Sequence, residues 1–123
     1  MVRKKSKGPE LHPRFRVISD ETIVLGPGKA ELLQNIADTG SLNQAAKLMD
    51  MSYMRAWQMV GILNRSFKKP LVSLERGGKN GGGAALTAAG ERVLALYQQM
   101  QQIGLEATHP QWSELQRLLK KDA

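Results

Sequence analysis

Five glycines fall within the seven residues from Gly77 to Gly83, interrupted only by Lys79 and Asn80. No helix runs through such a stretch, because each interior glycine costs a helix about 1 kcal/mol relative to alanine. Short β-favouring runs flank it, Leu71 to Arg76 before and Ala84 to Leu86 after. The segment therefore reads as a hairpin with a slim, glycine-rich tip. Pro70 ends whatever precedes it, and Thr87 caps a helix that follows. A phosphate-cradling enzyme loop fails on spacing. No Gly-Lys-Ser/Thr follows the required spacer, and residues 77–83 hold no Gly-x-Gly-x-x-Gly register.

Upstream of the hairpin the pattern is helical. Gly26-Pro27-Gly28 breaks the chain, and a helix follows with Leu32, Leu33 and Ile36 on its apolar face and Gly40 as its stop. Ser41 is an N-cap for a second helix carrying Leu42, Ala45, Ala46 and Met49. Asp50-Met51 is a short turn, and Ser52 caps a third helix from Tyr53 to about Phe67, with Ala56, Val60 and Leu63 inward. Small residues such as Ala45 and Ala46 let two short helices cross closely at a steep angle, and Met51 plugs the crossing. That packing lets the later helix of the pair protrude into a groove about 12 Å wide.

The ends are simpler. Residues 1–13 form a flexible, basic arm. Residues 14–18 and 23–25 are β-favouring around the polar link Ser19 to Thr22, which suggests a hairpin. After Thr87 a long helix shows Val93, Leu96, Tyr97, Met100 and Ile103 on one face. A break near Thr108-His109-Pro110 precedes a short helix with Trp112, Leu115, Leu118 and Leu119 on one side.

Composition narrows the function. The 123 residues contain no cysteine, which excludes disulfides, thiol catalysis and cysteine-based zinc sites. His12 and His109 are far apart, and neither paired carboxylates in one cleft nor a Ser/His/Asp set is visible, so no catalytic residue, metal site or cofactor is expected. No apolar run approaches the roughly 20 residues that span a bilayer. No membrane association is expected, and the chain reads as cytoplasmic. The net charge of +7 is uneven: +3 in residues 1–25, −1 in 26–46, +5 in 47–79 and zero beyond. A local basic excess is the footprint of a polyanion binder.

The expected order is hairpin, three helices, strand, glycine tip, strand, helix. This is a mainly α fold with small β elements, a winged helix-turn-helix over residues 14–86. On this reading Tyr53, Met54, Arg55 and Gln58 form the base-reading front of the third helix. Arginine pairs with guanine, glutamine with adenine, and a methionine touches a thymine methyl. Trp57 lies near the edge of that face, and two readings stay open: packing beside Ala56 and Val60, the commoner role of a large aromatic, or a base contact. Ser41, Gln44, Lys47, Ser52, Arg76, Lys79, Gly81 and Gly82 are the expected contacts to the DNA backbone.

The run Gly40-Ser41-Leu42-Asn43-Gln44-Ala45-Ala46-Lys47, then Met51-Ser52-Tyr53, Ala56-Trp57, the glycine-rich tip, and Leu86-Thr87 with Gly90-Glu91-Arg92 resemble the DNA-binding domain of ModE-type molybdate-responsive regulators. Residues 40–94 more distantly resemble the winged helix of LysR-type regulators. The resemblance implies a DNA-binding transcription regulator that works as a homodimer on double-stranded DNA. It implies that residues 87–107 form the dimerisation helix, through Val93, Leu96, Tyr97, Met100 and Ile103. A long apolar face after a compact domain independently asks for a partner. About twenty residues follow Ile103, too few for a small β-barrel, so molybdate binding is not carried over. The alternative is a winged-helix protein-interaction module, or a DNA-binding subunit that pairs with a separate effector-sensing protein through residues 108–123.

Overall fold

A computed structural model describes residues 8–75 and 83–120. Strands β1 (Val17–Ser19) and β2 (Thr22–Leu25) form the N-terminal hairpin. Asp20 and Glu21 make its two-residue turn with φ of 49° and 65°, the conformation that matches the twist of the flanking strands. Helix α1 (Pro27–Thr39) starts with proline in its first turn, where a missing N–H costs nothing, and stops at left-handed Gly40, whose N–H donates to the Ile36 carbonyl at 2.8 Å.

Helix α2 (Leu42–Leu48) and helix α3 (Tyr53–Ser66) follow at the expected places. The Ser41 hydroxyl oxygen accepts from the Gln44 N–H at 3.1 Å, and that of Ser52 accepts from the Arg55 N–H at 3.0 Å. Strands β3 (Val72–Leu74) and β4 (Ala84–Leu86) pair antiparallel, with Val72 opposite Leu86. The base of this second hairpin is tied to the corner between α1 and α2. Ala84 N–H donates to the Gly40 carbonyl at 3.0 Å, and Ser41 bridges to Gly83. Of the tip expected at 77–83, residues 77–82 lie outside the described residues.

The core gathers apolar residues from every one of these helices. Leu32, Leu33 and Ile36 meet Leu42 and Ala45, then Ala56, Val60 and Leu63, with Leu71 and Val72 from β3. Helix α4 (Ala88–Ala107) closes this core with Leu94 and Tyr97. Tyr97, expected on the face offered to a partner, is instead 1% exposed. Its hydroxyl donates to the Phe15 carbonyl at 2.7 Å and fixes the N-terminal segment along α4. Helix α5 (His109–Leu118) buries none of its residues.

Candidate nucleic-acid interface

The turn between α2 and α3 sets the pose of α3. Ala46 carbonyl accepts from both Met49 and Met51 N–H groups, at 3.1 and 3.0 Å. Asp50 takes a left-handed φ of 54° to reverse the chain. Ala45, Ala46 and Ala56 are essentially inaccessible, and Met51 packs half-buried against them, as the small-residue crossing requires.

With Ala56, Val60 and Leu63 inward, 100° per residue puts Met54, Gln58 and Arg65 on the opposite, outward line of α3. All three are exposed. Tyr53 and Trp57 share one flank with Asn64, which holds the wing strand, whereas Arg55 and Met59 occupy the other flank. Asn64 therefore ties the start of β3 to α3. Its amide oxygen accepts from Leu71 and Val72 N–H at 2.8 and 3.0 Å, and its amide nitrogen donates to the Val72 carbonyl at 3.0 Å.

The base-reading set thus divides. Met54 and Gln58 stand at the front, Tyr53 toward the wing and Arg55 away from it. Trp57, for which the sequence leaves packing and a base contact both open, is 50% exposed. The helical phase places it about 100° from the inward line, where no core residue covers it. On α2, Gln44 and Lys47 are exposed. Ser41 is 8% exposed and its hydroxyl oxygen is engaged with Gln44, so its side chain is a cap rather than a surface contact. Ser52 is an exposed cap. Arg76, Lys79, Gly81 and Gly82 lie outside the described residues.

Of the five residues expected at a dimer face, Leu96, Met100 and Ile103 are 40%, 44% and 62% exposed and recur on one side of α4. Val93 is half-buried against the core. Among the described residues no group of histidine and carboxylates is placed to hold a metal ion, and no helix is long and apolar enough to cross a membrane.

The sequence reading missed the cationic wall beside α3. Arg14 and Arg16 come from the segment just before β1 and Lys29 from the first turn of α1, yet they line one cleft with Arg55. Burial, and secondarily the charge of Arg55, holds the Lys29 ammonium below the usual lysine range. The Arg-x-Arg alternation at residues 14–16 was the available signal, because alternate strand residues share a face.

The family model described as bacterial regulatory helix-turn-helix protein, lysR family, matches residues 28–91. The transcriptional regulator ModE of Haemophilus influenzae is 39% identical over 89 residues, 72% of this chain and 35% of that protein. The DNA-binding transcriptional dual regulator ModE of Escherichia coli K12 is 41% identical over 81 residues, 66% of this chain and 31% of that protein. The chain spans about a third of the length of these curated relatives. Among solved structures, the CbnR_DBD-DNA complex aligns with a TM-score of 0.55 at 20% identity, covering 72% of this chain and 95% of that one. Full-length LysG of Corynebacterium glutamicum aligns with a TM-score of 0.54 at 24% identity, covering 74% and 29%. These two likenesses concern the fold.

Proposed function

This chain belongs to the lysR family of bacterial regulatory helix-turn-helix proteins, and from that premise we propose that it is a dimeric, sequence-specific double-stranded DNA-binding regulator of transcription. One observation carries the reading. Helix α3 is held at both ends, by the Ser52 cap and the Asn64 bracket, while its outward line of Met54 and Gln58 stays uncovered. A helix held rigidly and left bare on one line is what reading base edges in a major groove requires. The similarity to ModE regulators supports the same assignment.

In this reading Met54, Gln58, Tyr53 and Arg55 meet base edges, and Trp57 joins them on the wing side. Gln44, Lys47 and the wing residues Arg76 and Lys79 hold phosphates. The exposed Leu96, Met100 and Ile103 of α4 pair two copies, so that two α3 helices meet half-sites about one helical turn apart. The protein works as a binding protein in the cytoplasm, not as an enzyme. Selection of bound duplexes from a random pool, followed by footprinting, tests this. Two related half-sites are expected; equally tight binding to every duplex overturns sequence specificity.

A second reading has its own observation. Leu115 and Leu118 of the last helix and Leu119 just after it are 51%, 81% and 43% exposed. That face fits docking of a separate sensor protein. Deleting residues 108–123 distinguishes the two: an intact dimer that no longer captures a partner supports docking, whereas loss of the dimer assigns the helix to self-association.

A further inference from the structure

Beside α3, on the flank away from the wing, lies a cleft of about 370 Å³. Its walls carry Arg14 and Arg16 from the N-terminal segment, Lys29 from the first turn of α1, and Arg55 from α3, with Ile23 and Met59 as apolar floor. Among the described residues no carboxylate lies within ion-pairing distance of any of these four cations. Four cations lining one cleft without a paired carboxylate make it a favourable place for a negative ligand.

The backbone adds to this. Gly26 caps α1 with no side-chain hydrogen bond, and the first turn of α1 holds no acidic residue. The unsatisfied N–H groups there contribute partial positive charge. The stem of Arg16 lies over this start, since a Cβ on Gly26 would sit 3.4 Å from the arginine Cγ. The Lys29 ammonium donates to the Ile23 carbonyl at 2.8 Å, which fixes it at the cleft instead of leaving it free in solvent. Desolvation there favours its neutral form, a cost that a phosphate alongside would offset.

We propose that this cleft seats one phosphate of the DNA backbone, held by Arg14, Arg16 and Lys29 along the Arg55 edge of α3. The inference rests on the DNA-binding reading above and extends the interface to the N-terminal segment, opposite the wing. Helix α3 would then be flanked by phosphate contacts on both sides, which fixes its depth and register in the groove. Backbone phosphate is favoured over a small free oxyanion because Arg14, Arg16 and Arg55 are all exposed. A small oxyanion must recover its hydration from enclosing donors, whereas a duplex phosphate arrives with the rest of the interface. Tyr97 supports the arrangement from below, since its bond to the Phe15 carbonyl holds the residue between the two arginines.

The test uses the full chain and a duplex selected by the wild-type protein. Affinity is measured between about 50 and 200 mM salt for wild type, for Arg14→Ala/Arg16→Ala, and for Arg117→Ala/Lys120→Ala, which removes equal charge from the C-terminal end. The cleft variant should bind about tenfold more weakly, with a salt slope smaller by about one and sequence preference retained. The C-terminal variant should keep the wild-type slope. A duplex series bearing single neutral methylphosphonates should contain one position that weakens wild type and leaves the cleft variant unaffected. Both cleft substitutions are at exposed residues and relieve charge repulsion, so the thermal midpoint should not fall. An unchanged slope, an equal loss in the C-terminal variant, or no such phosphate overturns the seat while leaving DNA binding standing. Calorimetric binding of inorganic phosphate that the cleft variant loses, with its DNA slope intact, assigns the cleft to a free oxyanion instead. Failure of the wild type to retain any duplex removes the DNA reading itself.

Discussion

The side-chain amide of Asn64 is paired with the backbone of Val72 in both directions, accepting its N–H and donating to its carbonyl, each at 3.0 Å. An amide side chain here does the work of a neighbouring strand. It fastens the base of the wing strand to the helix proposed to read DNA.

Asn64→Ala should cost about 2–3 kcal/mol, because it leaves the Leu71 and Val72 N–H groups unpaired in a half-buried site. Urea denaturation measures this. DNA affinity should fall further than stability predicts at subsaturating denaturant, since the wing loses its fixed angle to α3.

Gly90 lies where α4 passes β3. A Cβ there would collide with the Leu71 carbonyl, which already accepts from the Thr87 N–H at 2.9 Å. Gly90→Ala should therefore destabilise by roughly 2–4 kcal/mol, despite the better helix propensity of alanine. A lowered thermal midpoint is the expected result; a raised one would show that α4 can shift freely from the wing.

Tyr97 ionises with more difficulty than an ordinary tyrosine, chiefly through burial, with Arg16 and Arg14 opposing the shift. Its folded pKa is raised, so the unfolded chain releases the proton first. Its contribution is intact below the ordinary tyrosine pKa of 10.0 and is lost as pH rises through the raised value. Wild-type stability should drop more steeply above that pH than that of Tyr97→Phe. At neutral pH the phenylalanine variant should be about 1 kcal/mol less stable, through the lost bond to Phe15.

Gln58 and Lys47 should separate reading from holding. Gln58→Ala should relax preference at one base position by about 1–3 kcal/mol. Lys47→Ala should weaken binding to all duplexes alike and reduce the salt slope by about one. Fluorescence anisotropy on a panel of single-base variants distinguishes the two patterns.

Local signals were enough to find most elements. Gly40, Ser41, Ser52 and Thr87 punctuate the chain by backbone chemistry that acts within three or four residues, and each falls at the element boundary it marks, whereas Pro70 lies in the link between α3 and β3. Periodicity likewise identified Leu32, Leu33 and Ile36, and Ala56, Val60 and Leu63, as inward faces. It misjudged Tyr97, because an apolar stripe does not say which neighbour covers it: the stripe put Tyr97 on the face offered to a partner, whereas packing between elements buries it. For Trp57 residue type left packing and exposure both open, and packing between elements leaves it half exposed.

The glycine run that breaks the chain at residues 77–83 determined that a hairpin follows α3, and the amino-acid sequence alone was sufficient for that. It could not fix the angle of this hairpin, which depends on Asn64 reaching eight residues along the chain to Val72. Nor could it assemble Arg14, Arg16, Lys29 and Arg55, which span some forty residues and meet only when the segment before β1 packs with α1 and α3. Backbone propensity is local, whereas a charge cluster is made by chain crossings, and only the tertiary structure decides those.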